Sequence, residues 1–144
     1  MPPSHLASLM PTTYRPDLGI LVSRWTRQPP TGELWPVYEE LAELARRHEA
    51  RYWLQDIRHR VVNDPEVTRW LLDTYFPELA AQLNGRLYVA YLVSPTLLKS
   101  ILEAPGFAPP EAYQGQPFAI AFFTAEGDAY DWLRHEQGRE TNRQ

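Results

Sequence analysis

A chain of 144 residues, 44% apolar and 22% charged, is long enough to bury the core of one domain and leaves little room for a second. With no cysteine it has no disulfides, no thiolate nucleophile and no cysteine-held metal or iron–sulfur centre. A formal charge of −4 argues against nucleic acid, whose binders carry a basic footprint, and no apolar run approaches the ~18 residues of a membrane span.

The residues from Leu6 to Tyr14 have strand character interrupted by Pro11, which points to an edge strand or a bulge. Arg15-Pro16-Asp17-Leu18-Gly19 has the residues of a turn, and Ile20 to Trp25 is a strand, so a hairpin is expected. Leu34, Val37, Tyr38, Leu41, Leu44 and Ala45 repeat at helical spacing, predicting a helix from about Glu33 to His48 with Pro36 in its first turn. Arg51 to Ile57 is the next strand. Asp64-Pro65 then opens a helix as N-cap and first residue, and Val67, Trp70, Leu71 and Tyr75 face inward. Pro77 must kink or split this helix, and Asn84-Gly85 ends it, the glycine supplying the left-handed residue.

Arg86 to Val93 is a nearly continuous apolar strand, the pattern of a central strand covered on both faces. Ser94-Pro95 repeats the cap-plus-proline signal and opens a short helix to about Glu103. A proline- and glycine-rich loop over 104–116 leads to a strand at 117–123. Thr124 is expected to cap a last helix that packs through Ala125, Ala129, Trp132 and Leu133, before a frayed polar tail over 138–144. The order β-β-α-β-α-β-α-β-α predicts a single α/β domain over 1–144, its core about 6–137. About five strands form a mostly parallel sheet with helices on its faces, and the first strand is the antiparallel exception. Met1 to His5 lacks the basic and long apolar segments of a secretory signal, so a cytoplasmic location is expected.

The element order, together with Trp25, Trp53-Leu54-x-Asp56-x-Arg58, Trp70, Phe76-Pro77, Tyr91-x-x-Ser94-Pro95 and the closing Phe122-Phe123 to Trp132-Leu133, resembles the STAS superfamily, the fold of bacterial anti-sigma-factor antagonists. The likeness covers roughly residues 12–135. It implies a non-enzymatic regulatory protein. Antagonists of that family are switched by phosphorylation of a Ser or Thr at the start of the helix after the third strand. Here that stretch, Arg58 to Pro65, has no hydroxyl, and the nearest is Thr68. A related group of similar architecture binds lipids or other apolar ligands, so the resemblance also implies an apolar pocket as an alternative.

The richest polar cluster is Asp56, Arg58, His59 and Arg60, at the C-terminal end of an expected parallel strand, where open α/β sheets hold ligands. Asp and His with arginines supply a base and an anion clamp. Equally, an Asp–Arg pair, or Asp bonded to backbone N–H groups, would simply hold the turn. Ser94 is either an anion site at a helix N-terminus or a plain cap. The histidines are scattered, so no metal site is expected, and the chain lacks both the phosphate-cradling G-x-x-x-x-G-K-[ST] and the dinucleotide G-x-G-x-x-G patterns, so no cofactor is expected. Five Trp, eight Tyr and five Phe are plentiful for this length. They line either the core or a binding face, with Trp35 and Phe107 the expected exposed members.

These readings favour a non-enzymatic interaction or regulatory module that binds a protein partner or itself as a homodimer. The alternative is a binder of a small apolar or amphipathic ligand. An enzyme using Asp56 and His59 ranks last.

Overall fold

The sheet begins at the turn over 15–19. Gly19 has φ 69, a left-handed conformation that glycine adopts at little cost, and the Arg15 carbonyl accepts from the N–H groups of Leu18 and Gly19 at 3.1 and 2.7 Å. The turn folds β1 (Thr12–Arg15) antiparallel onto β2 (Ile20–Arg24). A computed structural model of the chain describes residues 9–61, 64–104 and 109–142.

From β2 onward strands and helices alternate. Helix α1 (Leu34–His48) leads to β3 (Tyr52–Asp56). Helix α2 (Pro65–Trp70), a π-helical stretch Leu71–Tyr75 and α3 (Phe76–Gln82) lead to β4 (Leu87–Leu92). Helix α4 (Pro95–Glu103) leads to β5 (Phe118–Phe123), and α5 (Glu126–Asn142) follows. The strands lie in the order β1-β2-β3-β4-β5, with β2 to β5 all parallel. The protein is therefore an α/β fold with a mostly parallel sheet and an antiparallel first strand, as its pattern predicts.

Because the strand order never reverses, right-handed crossovers lay successive helices on the same face. The core divides to match. One cluster joins Val37 and Leu41 of α1, and Val67, Phe76 and Leu79 beyond β3, to Leu21, Trp53, Val89 and Ile120 of the sheet. On the opposite face Ile20, Leu54, Tyr88 and Ala90 are covered by Ala129 and Leu133 of α5. Side chains alternate across a strand, so Trp53 and Gln55 look toward the first cluster, and Leu54 and Asp56 toward the second.

Local chemistry sets most boundaries. The Asp64 carboxylate accepts from Glu66 N–H, and Pro65 is the first helical residue, where its missing N–H costs nothing. As expected, the helix is split ahead of Pro77, into α2 and α3 with a π-helical stretch between them. The π-helical stretch ahead of it closes with Phe76 N–H bonded to the Leu71 carbonyl, a turn one residue wider than an α turn, which relieves the clash a proline ring makes with the preceding turn.

Four boundaries differ from expectation. The strand predicted over 6–14 starts only at Thr12, because Pro11 has no N–H to give a ladder; Leu9 is helical, Met10 lies in a bend, and 6–8 fall outside the described residues. The left-handed residue closing α3 is Asn84, at φ 57, rather than Gly85. Gly85 serves close approach instead, since a Cβ there would sit 2.9 Å from Arg51 Cδ and Nε. Helix α5 starts at Glu126, and its first bond runs from Ala129 N–H to the Ala125 carbonyl at 3.3 Å, which puts Thr124 one residue short of the cap. The segment expected to fray from Gly138 is helical to Asn142, because Arg51 pairs with Glu140 at 2.9 Å and Gln137 Nε2 donates to the Leu18 carbonyl at 2.9 Å. No helix among the described residues is long and apolar enough to cross a membrane.

Candidate functional site

Strand β3 is buried along its whole length and ends at Asp56, on the face that α5 covers. Asp56 is 3% exposed and accepts four hydrogen bonds. Arg58 supplies three: Nε at 2.9 Å and backbone N–H at 3.2 Å to Oδ1, and Nη2 at 2.8 Å to Oδ2. Arg24, the last residue of β2 and in register with Asp56, supplies the fourth from Nη1 at 3.0 Å. Arg24 also grips Glu126 in the first turn of α5 through bonds of 2.7 and 3.2 Å. The network thus ties β2, β3, the β3–α2 turn and α5 together at one corner of the sheet.

Burial alone would raise the Asp56 carboxyl, but bonds from Arg58 and Arg24 outweigh it and hold the group below the ordinary carboxylate range. Arg24 is held more firmly protonated by Glu126 and Asp56, and Arg58 by Asp56. A carboxylate bound this way stays ionised and has poor capacity to take a proton from a substrate. Of the two readings open in the sequence, the geometry matches the turn-holding Asp–Arg pair with an added backbone N–H bond.

Of the four residues of the sequence cluster, Asp56, Arg58 and His59 border one groove and Arg60 does not. His59 is exposed and is not among the Asp56 donors. It borders, with Asp56, Arg24, Arg58, Thr13 and Thr26, a surface groove of about 510 Å³ beside β1 and β2. Arg60 turns the other way. It is 6% exposed, its guanidinium lies 4.4 Å from the Trp25 ring centre, and its Nε reaches Gln28 Oε1 at 3.4 Å. Ser94 caps α4, its hydroxyl accepting from Leu97 N–H at 3.0 Å.

Trp35 is 41% exposed at the start of α1 and meets Trp70 edge-on, with ring centres 4.7 Å apart. Trp70 in turn packs on Tyr38 and Tyr75, so an aromatic ladder runs from the surface into the core. Trp53 is fully buried and gives its indole N–H to the Ala50 carbonyl at 2.8 Å. Trp70 and Trp132, expected in the core from their periodicity, are only half-buried, because each stands at the border of its cluster. Phe107 lies outside the described residues.

Three important residues escape sequence reasoning. Arg24 and Glu126 meet Asp56 and each other only through strand register and helix docking, and nothing local marks them. Gln55 carries a signal: it is a polar residue at an inward position of a central strand, in step with Trp53. Among the described residues no group of three His, Asp or Glu side chains is placed to hold a metal ion. No family model, curated protein or solved structure matches this chain.

Proposed function

We propose that this chain is a non-enzymatic interaction module, of STAS-like regulatory type, that engages a protein through the surface around Trp35. The observation that carries this reading is Trp35 itself. An indole 41% exposed and braced edge-on by Trp70 is a rigid aromatic anchor, the kind of side chain that dominates binding energy at interfaces. Val61, 62% exposed in the β3–α2 turn, and Leu102, 51% exposed in α4, are the other large exposed apolar side chains among the described residues. The saturated Asp56 carboxylate favours binding over acid–base chemistry. The element order favours the STAS-like comparison.

The first partner to test is a second copy of the chain. Sedimentation velocity over a wide concentration range should show a monomer–dimer equilibrium for the wild type. Trp35→Ala should weaken it at least tenfold, the ~1.4 kcal/mol expected of one anchor residue. A wild type that stays monomeric throughout would refute the homodimer and leave a different protein as the partner.

A further inference from the structure

Helix α3 closes on Asn84-Gly85. Asn84 N–H bonds to the Ala81 carbonyl at 3.3 Å, and Gly85 N–H to the Ala80 carbonyl at 3.2 Å. With Asn84 left-handed at φ 57, these two bonds form the double closure that ends many helices. Both are long against the usual span of about 2.7–3.2 Å, so the turn is weakly latched. Asn84 is exposed, and among the described residues its side-chain amide has no hydrogen-bond partner.

The residue after Asn84 has to be small. A Cβ on Gly85 would sit 2.9 Å from Cδ and Nε of Arg51. The same missing side chain leaves the Gly85 nitrogen open to the Asn84 side chain. Once the bond to Ala80 opens, the Gly85 nitrogen gives its proton to hydroxide and attacks Asn84 Cγ. The new N–C bond closes a five-membered succinimide, and the side-chain NH₂ leaves as ammonia with a proton from water. Water then opens the ring at either carbonyl. One product is an ordinary aspartyl residue. The other carries the main chain through Cβ and Cγ, an isoaspartyl linkage one bond longer.

The longer linkage has little room. The pairing of β4 is fixed from Leu87, whose N–H bonds to the Pro117 carbonyl at 3.0 Å. The added length therefore falls on residues 84–86, against Arg51. Arg51 Nη1 holds the Arg86 carbonyl at 3.0 Å and the two Glu140 carboxylate oxygens at 3.0 and 2.9 Å. Displacing that guanidinium releases the end of α5.

We propose that Asn84 is a site of spontaneous deamidation, gated by opening of the last turn of α3, and that its isoaspartyl product loosens the C-terminal end of α5 through Arg51. The proposal is independent of the Trp35 surface, and either can fail without the other.

The test holds the full chain in mildly alkaline buffer, with and without denaturing urea, and digests samples at intervals for mass spectrometry. The folded chain should convert at Asn84 more slowly than the chain in urea. It should still convert there at least about threefold faster than at Asn63 or Asn142, whose following residues carry side chains. Hydrogen exchange over residues 137–142 should be at least about fivefold faster in the isoaspartyl form. Fresh Asn84→Asp carries the charge without the extra bond, and Asn84→Gly suits the left-handed turn and has no amide to lose. Both should exchange there as the fresh wild type does. The proposal is overturned if the folded chain keeps Asn84 intact, if Asn84 converts as fast folded as in urea, if Asn63 or Asn142 keeps pace with it, or if the isoaspartyl form exchanges over 137–142 as the fresh protein does.

Discussion

Replacing Asp56 by Asn keeps the shape of the side chain and removes its charge, which isolates the clamp. Two guanidinium donors, Arg24 Nη1 and Arg58 Nη2, converge on Oδ2. If an amide NH₂ replaces that oxygen, both bonds become donor–donor contacts; if the amide turns over, the Arg58 Nε and N–H bonds suffer instead. Breaking a fully buried ion pair costs about 3–5 kcal/mol. Here the arginine side chains are 42% and 46% exposed, and Arg24 keeps Glu126, so the freed donors reach water or an existing partner. The expected loss is therefore smaller, about 2–3 kcal/mol, or roughly 6–12 °C in Tm for a chain of this size. Urea unfolding followed by tryptophan fluorescence measures it, with an unchanged m-value as the check that the folded state is the same. The pH dependence has a definite sign. The Asp56 carboxyl is depressed in the folded state, so its contribution is complete above the unfolded value of about 3.9 and is lost as pH falls through the folded value. The gap between wild type and Asp56→Asn should stay constant from neutral pH to about pH 5 and narrow below about pH 4. A variant as stable as the wild type, or more stable, would refute the reasoning, because a gain on removing a polar group is the mark of a functional site held at a cost in stability.

Two further outcomes follow from single bonds. Ser94→Ala removes the α4 cap and should destabilise the protein by about 1 kcal/mol in the same assay, with faster amide exchange at Leu97. Tyr75→Phe removes the 2.6 Å bond from the Tyr75 hydroxyl to the Tyr38 carbonyl, leaving a buried acceptor, and should cost about 1–2 kcal/mol; a change under about 0.5 kcal/mol would show that water or another donor replaces it.

What the sequence reveals depends on how far apart the interacting residues lie. Asp64-Pro65 and Ser94-Pro95 announce their helices because a cap and its N–H target are two or three residues apart. Asp56 is recognisable at a strand end, and its bonds to Arg58 span two residues. The rest of the clamp spans 32 residues to Arg24, and Arg24 spans 102 to Glu126, distances at which only the assembled sheet supplies the pairing. The same limit explains the C-terminal segment. Its polar composition suggests fraying, but Arg51 and the Leu18 carbonyl wait for it on the far side of the fold. Arg60 is adjacent in sequence to the Asp56 cluster yet turns to the opposite face, because the chain leaves the strand after Asp56 and strand alternation no longer decides where its side chains point. Asn84 in place of Gly85 shows a shared role: both tolerate a left-handed turn, and the need to pass under Arg51 decides which position must be glycine.

The central claim, that the protein works by binding through the Trp35 surface, is tested most directly by site-specific photocrosslinking in living cells. A benzoyl-phenylalanine replaces Trp35 in one strain and the exposed Asp131 of α5 in another. The account predicts one discrete crosslinked species from position 35, identified by mass spectrometry as a second copy of the chain or a single other protein, and none from position 131. The same faint smear from both positions, with the protein folded in each strain, would contradict it.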